Sequence, residues 1–299
     1  MEERIGQVRA GDVVRVLDYG AGTGLASIEL TKACHERGVV PRLAERGATF
    51  ELHLVDLPGG WFAQGYQLLR DVPWTRFHAL REPGGGPFRP LREVLGGRQV
   101  DAVVANMVFH LLAEKVMRRA ATSIAEVLRP GGLLTFSAPD LADRQADSVL
   151  FHDANRLVRG RWLAALDTAD PASLAPVLRE AVASVRQSLR ADAQRRADRR
   201  ILPTPMHSEA VAAALTPFFV GGIERRTYEL LAEECLLTAL VPANQQEYFA
   251  EITDRPLREA VIRHLMLDLV LPELMRGPAG TAHGVNVEWK LGRFTRRPD

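Results

Sequence analysis

The sequence predicts an α/β protein with a mostly parallel sheet and helices on both faces, and three observations carry that prediction. Val14, Val16 and Leu17 form an apolar run that ends in Asp18 and the turn Gly20-Ala21-Gly22-Thr23-Gly24, and a helical pattern through Leu25, Ile28 and Leu30 follows at once. Apolar strand patterns then alternate with helical ones as far as Ala138. Near the end, Val285, Val287, Trp289 and Leu291 alternate with Asn286, Glu288 and Lys290, the period of two of a half-buried strand.

The first strand suits burial on both faces, and its glycines let backbone approach a ligand where a Cβ would obstruct it. That combination reads as a cofactor cradle. A dinucleotide fingerprint of the form GxGxxG would put the third glycine at position 25, where Leu25 stands, whereas here it falls at Gly24. The GxGxG turn with Asp18 just ahead of it resembles motif I of the class I S-adenosylmethionine-dependent methyltransferases, of the small-molecule, type 11/12-like kind. The resemblance implies S-adenosylmethionine (SAM) as cofactor and S-adenosylhomocysteine as product. It places Asp18, Gly20, Ala21, Gly22 and Gly24 at the cofactor, with the loop amides against its methionine end. The implied fold is a Rossmann-like, seven-stranded, mostly parallel sheet with an antiparallel last strand, to which this chain adds helical lid insertions.

Phe50, Leu52, Leu54 and Val55 lead into Asp56, a second strand ending in a carboxylate. In an open α/β sheet the ligand lies beyond the carboxyl ends of the strands, so an acid there can accept from both ribose hydroxyls. The competing reading is a solvated loop acid. The interval from Gly24 to Asp56 exceeds the roughly 20 residues usual for this unit, and Pro41 and Gly47 point to a loop or lengthened helix turn in between. By resemblance, Leu57 packs on the adenine. A short third strand is expected around Arg76 to Ala79, followed by a loop at Gly84-Gly85-Gly86-Pro87. Relatives often place an Asp just after this strand, but here stand Leu80, Arg81 and Glu82, so adenine contact falls to backbone groups and Leu80.

Val100 to Ala105 form the fourth strand, and Asn106-Met107-Val108-Phe109-His110-Leu111-Leu112 resembles motif IV. That resemblance gives Asn106 either the loop or the methionine moiety and sets His110 near the acceptor. A neutral imidazole there can take a proton from a hydroxyl, amine or acid, and the competing role is to hold the loop. A helix with Val116, Met117, Ala120, Ala121, Ile124, Val127 and Leu128 on one face is stopped by Arg129-Pro130-Gly131-Gly132, and Leu133 to Ala138 form a fifth strand.

Residues 1–140 and 205–299 are expected to form the SAM-binding domain, 141–204 a helical cap, and 241–280 a second helical insertion before the last strand. Arg186, Arg190, Arg195, Arg196, Arg199 and Arg200 crowd the end of the cap, as a solvated helix face or as a recogniser of an anionic acceptor. Ser208 is expected to cap a helix through Val211, Ala214 and Leu215, and Gly221 to Leu230 to form a sixth strand. Trp61, Phe62 and Phe109 either pack in the core or line an apolar acceptor pocket.

The 299 residues are 46% hydrophobic, enough for a sizeable core, and 38 basic against 37 acidic residues leave a formal charge of +1. Such balance argues against nucleic acid or an acidic membrane as partner. Cys34 and Cys235 are far apart and the histidines show no ligand spacing, so no metal is expected. Without an apolar leader or a membrane-length apolar run, the expected location is cytoplasmic, and a homo-oligomer is compatible with the sequence. The expected function is methyl transfer from SAM to an O, N or C atom of a small-molecule acceptor in a biosynthetic pathway. The alternatives are a SAM-binding regulator or scaffold without catalysis and, disfavoured by charge, a nucleic-acid methyltransferase.

Overall fold

The computed structural model describes residues 6–82, 85–139, 164, 166–198, 208–230, 252–264 and 285–298. Among them seven strands form one sheet: β1 (Val13–Tyr19), β2 (Thr49–Asp56), β3 (Thr75–Ala79), β4 (Val100–Asn106), β5 (Leu128–Pro139), β6 (Phe219–Leu230) and β7 (Val285–Arg296). Their spatial order is β3-β2-β1-β4-β5-β7-β6. The pairs β1–β2, β1–β4, β2–β3 and β4–β5 are parallel, and β7 runs antiparallel to β5. This is the expected Rossmann-like sheet with its antiparallel last strand. Strand order reverses between β1 and β4, and the carboxyl ends of those strands define the crevice where such sheets take ligands.

Apolar side chains cover both faces because the parallel strands are apolar on both. On one face Val14 and Val16 join Phe50, Leu52 and Leu54 beneath α1 (Leu25–Glu36), α2 (Val39–Glu45) and α3 (Gly60–Leu69), which supply Cys34, Leu43 and Leu69. On the other, Leu17, Val55 and Val103 pack with α4 (Leu91–Val94), α5 (Glu114–Val127) and α7 (Ser208–Leu215). The spacing of Met117, Ala120, Ala121 and Ile124 sets one stripe of α5 inward. Burying Met117 and Ile124 contributes about 1.5–3 kcal/mol each.

Four local expectations are corrected. The excess length before β2 is a separate helix, α2, with Pro41 in its first turn, where a missing N–H costs no helical bond. Leu128 is not helical: α5 ends at Val127, and Leu128 pairs with Val100 before a register shift across Pro130-Gly131-Gly132. The sixth strand begins at Phe219, two residues ahead of the glycine pair. Ser208 opens α7 as expected, but its hydroxyl donates to the Glu209 carboxylate at 3.2 Å.

The chain divides into two compact units, Met1–Ala142 with Thr204–Arg226 and Trp289–Asp299, and Asp143–Pro203 with Thr227–Glu288. In the second, α6 (Pro176–Asp198) and α8 (Arg255–His264) supply buried Leu178, Ala181, Val261 and Ile262. Arg186 and Arg190 of α6 both pair with Asp167, at 3.3 and 3.4 Å, which gives two of the expected arginines a structural partner. The side chains of Arg195 and Arg196, and all of Gly84, Gly160, Arg199, Arg200, Cys235 and the run Leu265 to Leu274, lie outside the described residues. Among the described residues no helix is long and apolar enough to cross a membrane.

Candidate cofactor site

The crevice is built from the ends of three neighbouring strands. β1 delivers Asp18, Tyr19 and the glycine turn, β2 delivers Asp56 and Leu57, and β4 delivers Asn106 and the loop behind it.

Asp18 is 2% exposed. Its Oδ2 accepts from the Ser27 hydroxyl at 2.7 Å, and the Ser27 amide also bonds it. Gly24 caps α1 with no side chain, so the strand carboxylate does the work of an N-cap and sits as an anion at the helix N-terminus. Its Oδ1 is buried with no donor. Burial pushes the carboxyl up to about 6, opposed by Ser27 and reinforced by the nearby Asp56.

Asp56 reaches the glycine turn directly. Its Oδ2 accepts from the Gly22 amide and its Oδ1 from the Leu57 amide, each at 2.5 Å. Burial raises its pKa against these two bonds, and together with Asp56 it holds the Tyr19 phenol up at about 12. Each carboxylate oxygen keeps a lone pair for a further donor.

The turn's backbone is largely committed. Val55 O accepts from the Gly20 and Ala21 amides at 2.8 and 3.1 Å, and Gly24 N donates to Ala21 O at 2.7 Å. The three glycines differ in what faces them. A Cβ on Gly20 would collide with Val108, and one on Gly24 would meet the Leu69 side chain at 2.9 Å. On Gly22 it would meet nothing nearer than Asp56 Oδ2 and Gly20 O at 4.0 Å, so this is where backbone lies open to a ligand.

Leu57 is 40% exposed, whereas Leu80 is buried in the core. The Leu80 backbone is also spoken for, its N–H donating to Asp56 O and its carbonyl accepting from Arg89 N, both at 2.8 Å. The Leu80 side chain contributes to the core. Arg81 beside it stacks over the Phe88 ring at 4.2 Å. The Ser137 hydroxyl donates to Asn106 Oδ1, fixing Asn106 to β5. His110 lies in a 3-10 turn (Phe109–Leu111) and is 3% exposed. Phe109 is core, against Tyr19 and Phe136, Phe62 is half-buried beside the core against Phe77, and Trp61 is 41% exposed.

Two features escaped sequence reasoning. Met107 has φ 61°, the one positive value outside glycine among the described residues, and its N–H donates to Ser137 O at 2.8 Å. This left-handed step turns the chain out of β4 so that Val108 lands on Gly20. The second is contact between His53 and His78, set by strand register. Among the described residues no group of His, Cys, Asp and Glu could hold a metal ion.

No protein-family model and no curated protein matches the chain. Among solved structures it is similar to one described for conversion of a disulfide bond into a thioacetal group during echinomycin biosynthesis, at 15% identity over 99% of this chain and 78% of that one, with a TM-score of 0.45. It is similar also to the YcgJ protein from Bacillus subtilis, at 13% identity over 100% and 98%, TM-score 0.45. A third is the N-methyltransferase NodS from Bradyrhizobium japonicum WM9 in complex with S-adenosyl-L-homocysteine, at 13% identity over 97% and 80%, TM-score 0.40.

Proposed function

We propose that the chain is a methyltransferase that binds SAM at the Gly20–Gly24 turn and transfers its methyl group to an oxygen, nitrogen or carbon of a small acceptor. One observation carries the reading: the helix end behind the glycine turn is already occupied by a carboxylate, Asp18. A pyrophosphate cofactor needs that helix end and the loop amides. Here it would meet Asp18 and Asp56, with the amides of Gly20, Ala21 and Gly22 engaged. A cofactor carrying a sulfonium and an ammonium is attracted by the same two groups.

The residues present fit such a cofactor. Asp18 Oδ1 is buried and lacks a donor, which the ammonium would supply. Asp56 keeps acceptor capacity for the ribose hydroxyls, the open backbone of Gly22 allows close approach, and exposed Leu57 offers an apolar surface to the adenine. When bound, SAM supplies a methyl group already activated by its positive sulfur. The chain then has to hold the acceptor in line and exclude water. Asn106, held by Ser137 at the carboxyl end of β4, is assigned to the wall of the site. His110 is assigned the acceptor's proton. Its burial also favours a second reading in which it only holds the 3-10 turn.

Titration calorimetry tests the proposal. SAM and S-adenosylhomocysteine should bind and NAD should not. Asp56→Ala should weaken SAM by about tenfold or more, the loss of charged hydrogen bonds worth about 1.5–3 kcal/mol. No binding of either compound, or an unchanged affinity in Asp56→Ala, overturns it. Binding without turnover across a broad acceptor panel would leave a non-catalytic SAM-binding protein.

A further inference from the structure

Three strands carry a polar row that the cofactor site does not use. Arg15 on β1, Glu51 and His53 on β2, and His78 on β3 share one face of the sheet, as the register pairs Arg15 with Glu51 and His53 with Arg76, two residues before His78. Arg15 Nε donates to Glu51 Oε2 at 2.7 Å, His53 Nε2 lies 3.4 Å from the same oxygen, and His53 Nδ1 is 2.9 Å from His78 Nε2. The imidazoles lie edge to edge, with centroids 5.2 Å apart and planes within 13°, as an in-plane N–H···N bond requires. His53 is 1% exposed.

Two proton arrangements satisfy every contact: with both rings neutral, His78 Nε2–H donates to His53 Nδ1 and His53 Nε2–H to Glu51, and with one proton added His53 donates from both nitrogens, to Glu51 and to His78 Nε2. A second proton would set two donors against each other across the 2.9 Å contact. One added at His78 would place a cation before Arg76 of its own strand and before Arg89 and Arg98 from the segments flanking α4. The pair's one neighbouring anion among the described contacts, Glu51, is already paired with Arg15. Burial holds both rings below their ordinary value of 6.5, helped at His53 by Arg15 and Arg98, and at His78 by a charge on His53 and by Arg98, Arg89 and Arg76, which leave His78 at about 4.

β3 is the edge strand on this side and pairs with β2, through Asp56 opposite Ala79 and Leu80 N–H on Asp56 O. We propose that the His53–His78 pair is a proton-operated latch: with at most one proton shared between the rings it holds β3 on β2, and the second proton releases β3 and with it the Asp56 end of the cofactor site. The first half stands on the strand geometry alone, and the link to the cofactor rests on the function proposed above. Once β3 opens, both rings meet water and titrate near the ordinary imidazole value. The open form therefore takes up protons where the closed form does not, and opening becomes more favourable as pH falls from about 6.5 toward 4.

Hydrogen exchange at the Leu52 and Leu80 amides, which bridge β2 to the β3 segment, reads the latch. After correction for intrinsic exchange, the opening equilibrium should rise roughly twentyfold between pH 7 and 5, the linkage of one ring titrating at 6.5 when open and about 4 when closed. In His78→Gln, whose amide can replace Nε2 without titrating, most of that rise should vanish. An opening equilibrium that does not change with pH overturns the latch. Should that variant not fold, the ring C–H resonances of the unaltered protein decide: the His78 imidazole should remain neutral at pH 5.5, and its titration near 6.5 overturns the proposal. Calorimetry with SAM at pH 7 and 5.5 tests the link, since the loss of affinity in acid should be smaller in His78→Gln. Equal losses overturn the link, whereas absence of SAM binding at either pH refutes the function and leaves exchange to judge the latch.

Discussion

A buried carboxylate oxygen without a donor weakens the fold that contains it, and Asp18 carries one in the middle of the candidate site. Its carboxyl stands at about 6 because burial outweighs the Ser27 bonds. Asp18→Asn should therefore stabilise the protein at pH 7 by about 1–3 kcal/mol, since the amide keeps an acceptor for Ser27 and carries no charge. The same change should cost at least about tenfold in SAM affinity, through loss of a charged acceptor. Urea denaturation and calorimetry on one preparation check the pair, and a variant that is both less stable and equally tight would contradict it. Asp18 and Asp56 were legible because their spacing to the glycine turn is local or tied to a strand end. The bonds that Asp56 makes were not, because they depend on where β2 stops relative to β1. Met107 gave no warning at all, as methionine has no preference for the left-handed region.

At the scale of elements, strands were legible from apolar runs, whereas junctions were decided by contacts. Leu128 continues the stripe of α5, which predicts it helical, but pairing with Val100 wins. Helix α3 illustrates the same competition in a form that can be measured. Gly65 sits in the middle of that helix, where alanine is intrinsically better by about 1 kcal/mol. Yet a Cβ on Gly65 would lie 2.8 Å from Gly22 O and 3.0 Å from Thr23 C, which are backbone atoms of the cofactor turn. Pushing a helix off packed backbone costs about 1–3 kcal/mol, so packing outweighs propensity. Gly65→Ala should lower stability by about 1 kcal/mol and weaken SAM, because the Gly22–Thr23 backbone must shift. A gain in stability on thermal melting would show that α3 moves away freely.

For the whole molecule, acid acts through groups whose shifts have opposite signs. Asp18 and Asp56 have raised pKa values, Asp18 up to about 6, so the folded chain binds more protons than the unfolded one above the ordinary carboxyl value of 3.8, and their contribution to stability grows as pH falls through that window. His53 and His78 have lowered values, so the unfolded chain binds more protons below about 6.5, for His78 down to about 4, and their contribution is lost over nearly the same range. The shifts of Asp18 and His78 are similar in size, which predicts a stability that varies little between pH 6.5 and 4.5 in the unaltered protein. Removing one side exposes the other. Asp18→Asn should lose stability steadily on acidification across that window, while His78→Gln should gain it, each by about 1–2 kcal/mol over the range. Urea titrations at half-unit pH intervals would display the divergence, and three parallel curves would mean that these buried groups are charged alike in the folded and unfolded chain.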